Sequence, residues 1–339
     1  MRRRERIDTM VDTHVWMRRQ EARLPSATNV LILGAGASKH YDFPLAADIV
    51  RRVRANTDSM TGRLGQLEID QEIYERVVAR LLSSGCTSVD QFAEYLDNPA
   101  DILVAKSLVA YHVAIFETRA SLSADRPGGH WYELLANHLI GVELDSFPQR
   151  DIAIITFNYD RSLEQYLLDC LGSRFGERHS QTEVRDAFQR LPLIHIYGRL
   201  GHLPGFGTGS SRSERPYEPI RGGAELQSAT AGMHMLRELR DHPRRGQREA
   251  ARECLGAAQG RVSFLGFAYA QENLEALDLA RTCTQKTVSG TVLGIGHDER
   301  RVELHERLHG FGVTLSHQWE FDVYTALLTF PRTILGLPR

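Results

Sequence analysis

Four short segments of the chain carry residue types able to do chemistry, and each follows an apolar run. The first is Gly34-Ala35-Gly36-Ala37-Ser38. Small residues at a turn let backbone approach a phosphate, and free N–H groups at the start of a following helix favour negative charge. A tight strand-to-helix turn also needs glycine for steric reasons alone. The segment has neither the third glycine of the dinucleotide fingerprint nor the lysine of a P-loop. The second segment is Thr156-Phe157-Asn158-Tyr159-Asp160. Polar side chains at the end of an apolar strand cost free energy unless they are paired or used. Asp160 suits a helix cap, whereas the Asn158 carboxamide can hold a water or a ribose hydroxyl.

The third segment is Ile194-His195-Ile196-Tyr197-Gly198. Strand alternation puts His195 and Tyr197 on one face, with Ile194 and Ile196 on the other. A lone strand histidine is more often structural. Followed by Tyr-Gly at a strand end, it becomes a candidate for acid/base or ribose-contacting work. The fourth is Gly266-Phe267-Ala268-Tyr269, where a glycine again ends an apolar strand and can pass close to a ligand.

The elements that must position these residues read as alternating strands and helices. Strands are expected at 29–34, 151–158 and 193–200, and in RVSFLGFAY, TVSGTVLGI and GVTLSHQ. The β-branched and Leu-rich runs suit parallel strands covered on both faces. Helical spacing appears in EIYERVVARLL, ILVAKSLVAYHVAIF, HWYELLANHLIGV, RSLEQYLLDCL, QENLEALDLARTC and DERRVELHERL, with a last helix from about Trp319. The alternation predicts an α/β fold, a mostly parallel sheet with helices on both faces. Ligands of such sheets bind beyond the carboxyl ends of the strands. The long helical block is too large for a simple crossover and reads as an insertion at about 50–148. A second loop and helical insertion spans about 201–258. Residues 1–27 form a polar Arg-rich arm ahead of the domain at 28–339. The Gly- and Ser-rich 205–217 loop reads as a surface loop, with closure over the site as the sharper alternative.

The formal net charge of −2 gives no general nucleic-acid footprint. Cys86, Cys170, Cys254 and Cys283 are scattered, so neither a disulfide framework nor a cysteine-based zinc site is expected. No apolar run approaches the ~20 residues that span a bilayer, and the Arg-rich start has no apolar stretch behind it. A cytoplasmic protein without membrane contact and without a metal is expected.

Taken in order, GAGAS after the first strand, TFNYD, a histidine-bearing strand ending in glycine, and LGFAY resemble the sirtuin-like family of NAD-dependent enzymes. The likeness covers roughly residues 29–330, including GASKHYDFPLA and NYDRSLEQYL, and is closest to the bacterial NAD-hydrolysing branch that serves in anti-phage defence. The resemblance implies a Rossmann-like domain with NAD lying across the strand ends. Gly34, Ala35, Gly36, Ala37 and Ser38 would then cradle the phosphates, and Thr156, Gly266 and Phe267 would border the cofactor, with Gly266 beside the adenosine half. Asn158 would position the attacking water or the nicotinamide ribose, and Asp160 would contact that ribose or hold Asn158. The family's catalytic histidine stands immediately before a glycine. Here Tyr197 fills that slot, and His195, two residues upstream, is taken as the catalytic histidine with Tyr197 in reserve.

What the resemblance implies is an NAD glycohydrolase, releasing nicotinamide and ADP-ribose. Deacylating members carry a four-cysteine zinc module that this sequence cannot supply, so a deacylase or ADP-ribosyltransferase is the lesser expectation. The main alternative is a non-enzymatic module that binds NAD or an ADP-ribose-type signal. An enzyme that destroys NAD must be restrained. A homo-oligomer is therefore expected, or a partner sensor or ATPase protein, with the helical insertion, the arm and the 230–257 stretch as assembly surfaces.

Overall fold

Six strands form one sheet: β1 (Asn29–Leu33), β2 (Ile152–Thr156), β3 (Leu193–His195), β4 (Arg261–Leu265), β5 (Thr287–Thr291) and β6 (Leu315–Trp319). Their order is β3-β2-β1-β4-β5-β6, and every pairing is parallel. This computed structural model describes residues 28–55, 60–123, 129–207, 214–236, 238, 245–295 and 299–336. The Arg-rich arm, part of the 205–217 loop and part of the 230–257 stretch lie outside them.

The expected α/β architecture is present, and its parallel character is complete. β1 is buried along its whole length because both faces are covered. Val30 and Ile32 enter one apolar cluster with Ala251, Leu274 and Leu304, while Leu31 and Leu33 enter the other with Leu108, Leu135 and Leu167. The second of these faces is covered largely by the expected helical insertion. Its central helix, Pro99–Ala114, is buried nearly all round; Asn98 caps it through Ala100 N, and Pro99 occupies the first turn, where no N–H is needed.

The strands are shorter than the sequence suggests at their carboxyl ends. β2 stops at Thr156, β3 at His195 and β4 at Leu265, and the polar or glycine-bearing residues that follow are loop. Trp319 ends β6 instead of opening a last helix; the tail holds two short helices, Val323–Thr329, capped by Asp322, and Pro331–Leu335. The helix over QENLEALDLARTC breaks at Asp278, whose φ of 52° is left-handed. The register aligns Leu33 with Thr156 and Leu265, and Thr156 with His195. Segments beginning at residues 34, 157, 196 and 266 therefore leave the sheet along one lip.

Among the described residues no helix is long and apolar enough to cross a membrane. Arg215 and Tyr217, at the end of the 205–217 loop, are buried, so that end is anchored and not a free flap.

Candidate functional site

Chain direction across the sheet reverses between β1 and β4, the place where doubly wound sheets open a crevice. Here the turns after the two strands interlock main chain to main chain. Gly34 N donates to Leu265 O at 3.1 Å and Gly36 N to Gly266 O at 2.9 Å. A Cβ on Gly34 would lie 2.6 Å from Gly266 O, and one on Gly266, whose φ is +59°, would lie 2.1 Å from Ala37 N. Close packing thus demands these glycines whatever binds above them. Ala37 N is also engaged, on Gly34 O at 2.9 Å. Three amides of the expected phosphate cradle therefore already have partners, and of the five cradle residues Ala35 alone is exposed.

Asn158 joins the end of β2 to that turn. Its Nδ2 donates to Gly34 O at 3.0 Å and to Ser38 Oγ at 2.9 Å, and its backbone N donates to Thr156 Oγ1 at 3.1 Å. Because Gly34 O can only accept, the amide orientation is determined and Oδ1 points away. That oxygen is enclosed and has no hydrogen-bond partner among the described residues. Ser38 in turn donates to the buried Asp160, which also accepts from Ser162 N at 3.1 Å and from the Ser162 hydroxyl. Burial lifts the Asp160 carboxyl above its usual range, opposed by those hydrogen bonds. Asp160 is therefore not the helix cap, a position that Arg161 takes; it holds the first helical amide, Ser162 N, and holds Asn158 through Ser38.

His195 and Asn158 do meet, His195 Nδ1 donating to the Asn158 carbonyl at 2.9 Å. The ring's other nitrogen lies 2.7 Å from Glu164 Oε1, and the side chain is 1% exposed. Burial pushes the Glu164 carboxyl up, but His195 and then Arg199, 3.6 Å away, outweigh it and hold it below its ordinary range. With both nitrogens occupied, His195 fastens the loop after β2 and has none left for a substrate. Tyr197 does not share its face. β3 has ended, the alternation lapses, and Tyr197 joins Ile194 and Ile196 in the opposite cluster. Its ring meets Phe157 edge-on at 5.5 Å, Phe267 meets Phe157 at 5.1 Å, and its hydroxyl donates to Asn273 Oδ1 at 2.5 Å. Burial raises the Tyr197 phenol above its ordinary value.

Several polar residues of this region went unread in the sequence. Glu164 sits four residues after Asp160 on the first turn of helix Ser162–Phe175, a spacing that could have marked it as facing the sheet. Glu117 had no such signal. It lies fully buried between Arg161 and Arg215, joining the end of helix Pro99–Ala114 to the NYDR segment and to the 214–218 segment. His202, beside Arg199 and Arg161, is pushed down to about 4, first by burial and then by those cations.

Fold and site together define an α/β protein with a doubly wound parallel sheet and a buried polar network at its reversal point. A scan against protein-family models matches none, and a comparison with curated proteins finds no similar chain.

Proposed function

We propose that the chain is an NAD glycohydrolase, cleaving the bond between nicotinamide and ribose to give nicotinamide and ADP-ribose. The observation that carries this reading is the Asn158 carboxamide: it is oriented by Gly34 and Ser38 at the lip of the sheet, with Oδ1 unpaired. A stranded acceptor costs about 1–3 kcal/mol and calls for a use. A ribose hydroxyl or a water would supply the missing donor once the site opens around a ligand.

The reaction suits so sparse a site. The C1′–N electron pair leaves with the pyridinium, which departs as neutral nicotinamide and needs no proton. The ribose passes through an oxocarbenium ion, and one water adds its oxygen and loses a proton. The protein must orient the ribose, shield the cation and admit that water. Asn158 is the orienting group, Ser38 and Asp160 hold it, and Phe157 and Phe267 supply an apolar wall. In a bacterial cell such an activity would deplete NAD, the anti-phage effector role that the sirtuin-like motifs imply. Restraint would come from self-assembly or from a sensor or ATPase partner.

One observation favours a second reading, a regulatory module that binds NAD or ADP-ribose without turnover. His195 is locked on both nitrogens, and the Tyr197 hydroxyl is tied to Asn273. The protein, alone and assembled with itself or a partner, is incubated with NAD while nicotinamide release and binding heat are measured. Release supports the hydrolase, and binding without release in every assembly selects the module. Absence of both refutes the two together.

A further inference from the structure

The hydrogen bonds beneath Asn158 can each be given a direction. Gly34 O only accepts, so Asn158 Nδ2 faces it at 3.0 Å and donates also to Ser38 Oγ at 2.9 Å. The one proton of Ser38 is then left for Asp160. The Asp160 carboxyl also takes Ser162 N, at 3.1 Å, and the Ser162 hydroxyl. With its own proton turned to Asp160, the Ser162 oxygen can only accept from Tyr132, whose hydroxyl lies 2.5 Å away. Burial holds the Tyr132 phenol well above its ordinary range, so that proton stays on the tyrosine. Two chains of donors thus converge on one carboxylate: Tyr132 to Ser162 to Asp160 from one side, and Asn158 to Ser38 to Asp160 from the other.

This order holds only while Asp160 is an anion. A proton added to Asp160 must be donated to one of the two hydroxyl oxygens. Given to Ser38, it turns the serine proton toward Asn158 Nδ2, which cannot accept; rotating the amide to offer Oδ1 would set that oxygen against Gly34 O. Given to Ser162, it turns that proton toward Tyr132, whose own proton then loses its one acceptor among the described residues. Resting on the NAD-site reading above, we propose that Ser162 and Tyr132 are positioning residues, which act through Asp160 and Ser38 to hold the Asn158 carboxamide with Oδ1 free to accept from the ligand, and that protonation of Asp160 releases it.

The charged and titratable groups around Asp160 are Arg161 beside it in the chain, Glu164 one turn on and paired with His195, Tyr132 from helix Trp131–Leu139 with Tyr41 stacked on its ring at 3.8 Å, and Tyr217. Burial lifts the Asp160 carboxyl above its ordinary range, the bonds from Ser162 and Ser38 oppose the rise, and Glu164 adds to it. The oriented carboxamide is therefore present above the Asp160 titration and lost as pH falls through it.

The test is nicotinamide release from NAD by the full chain as a function of pH, separated into kcat and KM, with NAD binding heat and thermal melting beside it. The wild-type kcat should fall with pH through a limb above the ordinary carboxyl range. Ser162→Ala removes a charge-assisted hydrogen bond from Asp160 and should move the limb up by about one to two pH units. Tyr132→Phe should move it the same way by less, and Ser162→Thr should leave it in place. A residue that only packs would lower Tm and leave the limb still. Tyr132→Phe, which keeps the ring against Tyr41, decides the matter if Ser162→Ala fails to fold. An unmoved limb in either folded variant overturns that residue's role, and a wild type fully active and folded down to about pH 4 overturns both roles while the hydrolase stands. A wild type that binds NAD without release overturns the hydrolase alone, and the same limb is then read in NAD affinity. A protein that neither binds nor cleaves NAD overturns the site and its positioning residues together.

Discussion

Replacing Glu117 by glutamine should destabilise the protein more than any surface substitution. Glu117 Oε1 accepts from Arg161 Nε at 3.0 Å, Oε2 accepts from Arg161 Nη2 at 2.5 Å, and Arg215 also donates to Oε2. The side chains of Arg161 and Arg215 are 0% and 2% exposed. Burial pushes both guanidinium groups down to about 10, so both remain charged at neutral pH. Glutamine keeps the shape and removes the charge. The arginines retain carbonyl acceptors, among them His202 O, Arg215 O, Pro216 O and Leu200 O, but lose their counter-ion. Breaking a buried ion pair from one side costs about 3–5 kcal/mol, against a total stability of roughly 5–15 kcal/mol. At about 2.1 cal/mol/K per residue, a chain of 339 residues has an unfolding entropy near 0.7 kcal/mol/K, which makes the expected fall in Tm about 4–7 °C. Circular dichroism melting at pH 7 measures it. Replacing Glu117, Arg161 and Arg215 together by methionine should cost less than Glu117→Gln alone, because no unpaired charge then remains. Melting of Glu117→Gln within about 1 °C of wild type, or a triple variant worse than the single one, would refute this account of the cluster.

Asn158→Ala should lower nicotinamide release ~10²–10⁴-fold, the range for loss of a positioned catalytic group, while the protein stays folded; unchanged turnover would remove the residue on which the proposed function rests. His195→Ala leaves Asn158 O without its donor and Glu164 with Arg199 as its remaining ion-pair partner, and should lower Tm, at about 1–3 kcal/mol for the stranded carbonyl, with turnover well below Tm reduced tenfold or less. A far larger loss of rate with unchanged melting would return His195 to direct catalysis. His202, lowered from 6.5 to about 4 in the folded protein, is protonated first in the unfolded chain. Its contribution is therefore present above pH 6.5 and lost as pH falls toward 4. His202→Asn should melt with a shallower dependence on pH between about 6.5 and 4.5, and identical slopes for the two proteins would contradict the assignment.

The sheet was legible because its signal is local: each apolar run bounded by glycine or a polar residue became a strand of one parallel sheet. Strand ends were read too long because period-two alternation cannot show where pairing stops. Tyr197 falls just past that point, and its side chain turned to the face opposite the one expected. His195 was visible as a polar residue in an apolar strand, but its engagement depends on Glu164, brought to it by the helix that follows β2. The glycines at 34, 36 and 266 were readable as close approaches. That they approach each other, through backbone separated by some 230 positions, is a tertiary fact. Glu117 carries no local signal, because its pairing with Arg161 and Arg215 is made by long-range packing.

The interlock of Gly34, Gly36 and Gly266 makes a floor at the strand ends from peptide groups alone, with no room for any side chain. Such a floor cannot be retuned by exchanging one residue for another, so new ligand preferences must be acquired from the walls. The exposed segments around it are the parts free to diverge, while the base beneath them stays the same.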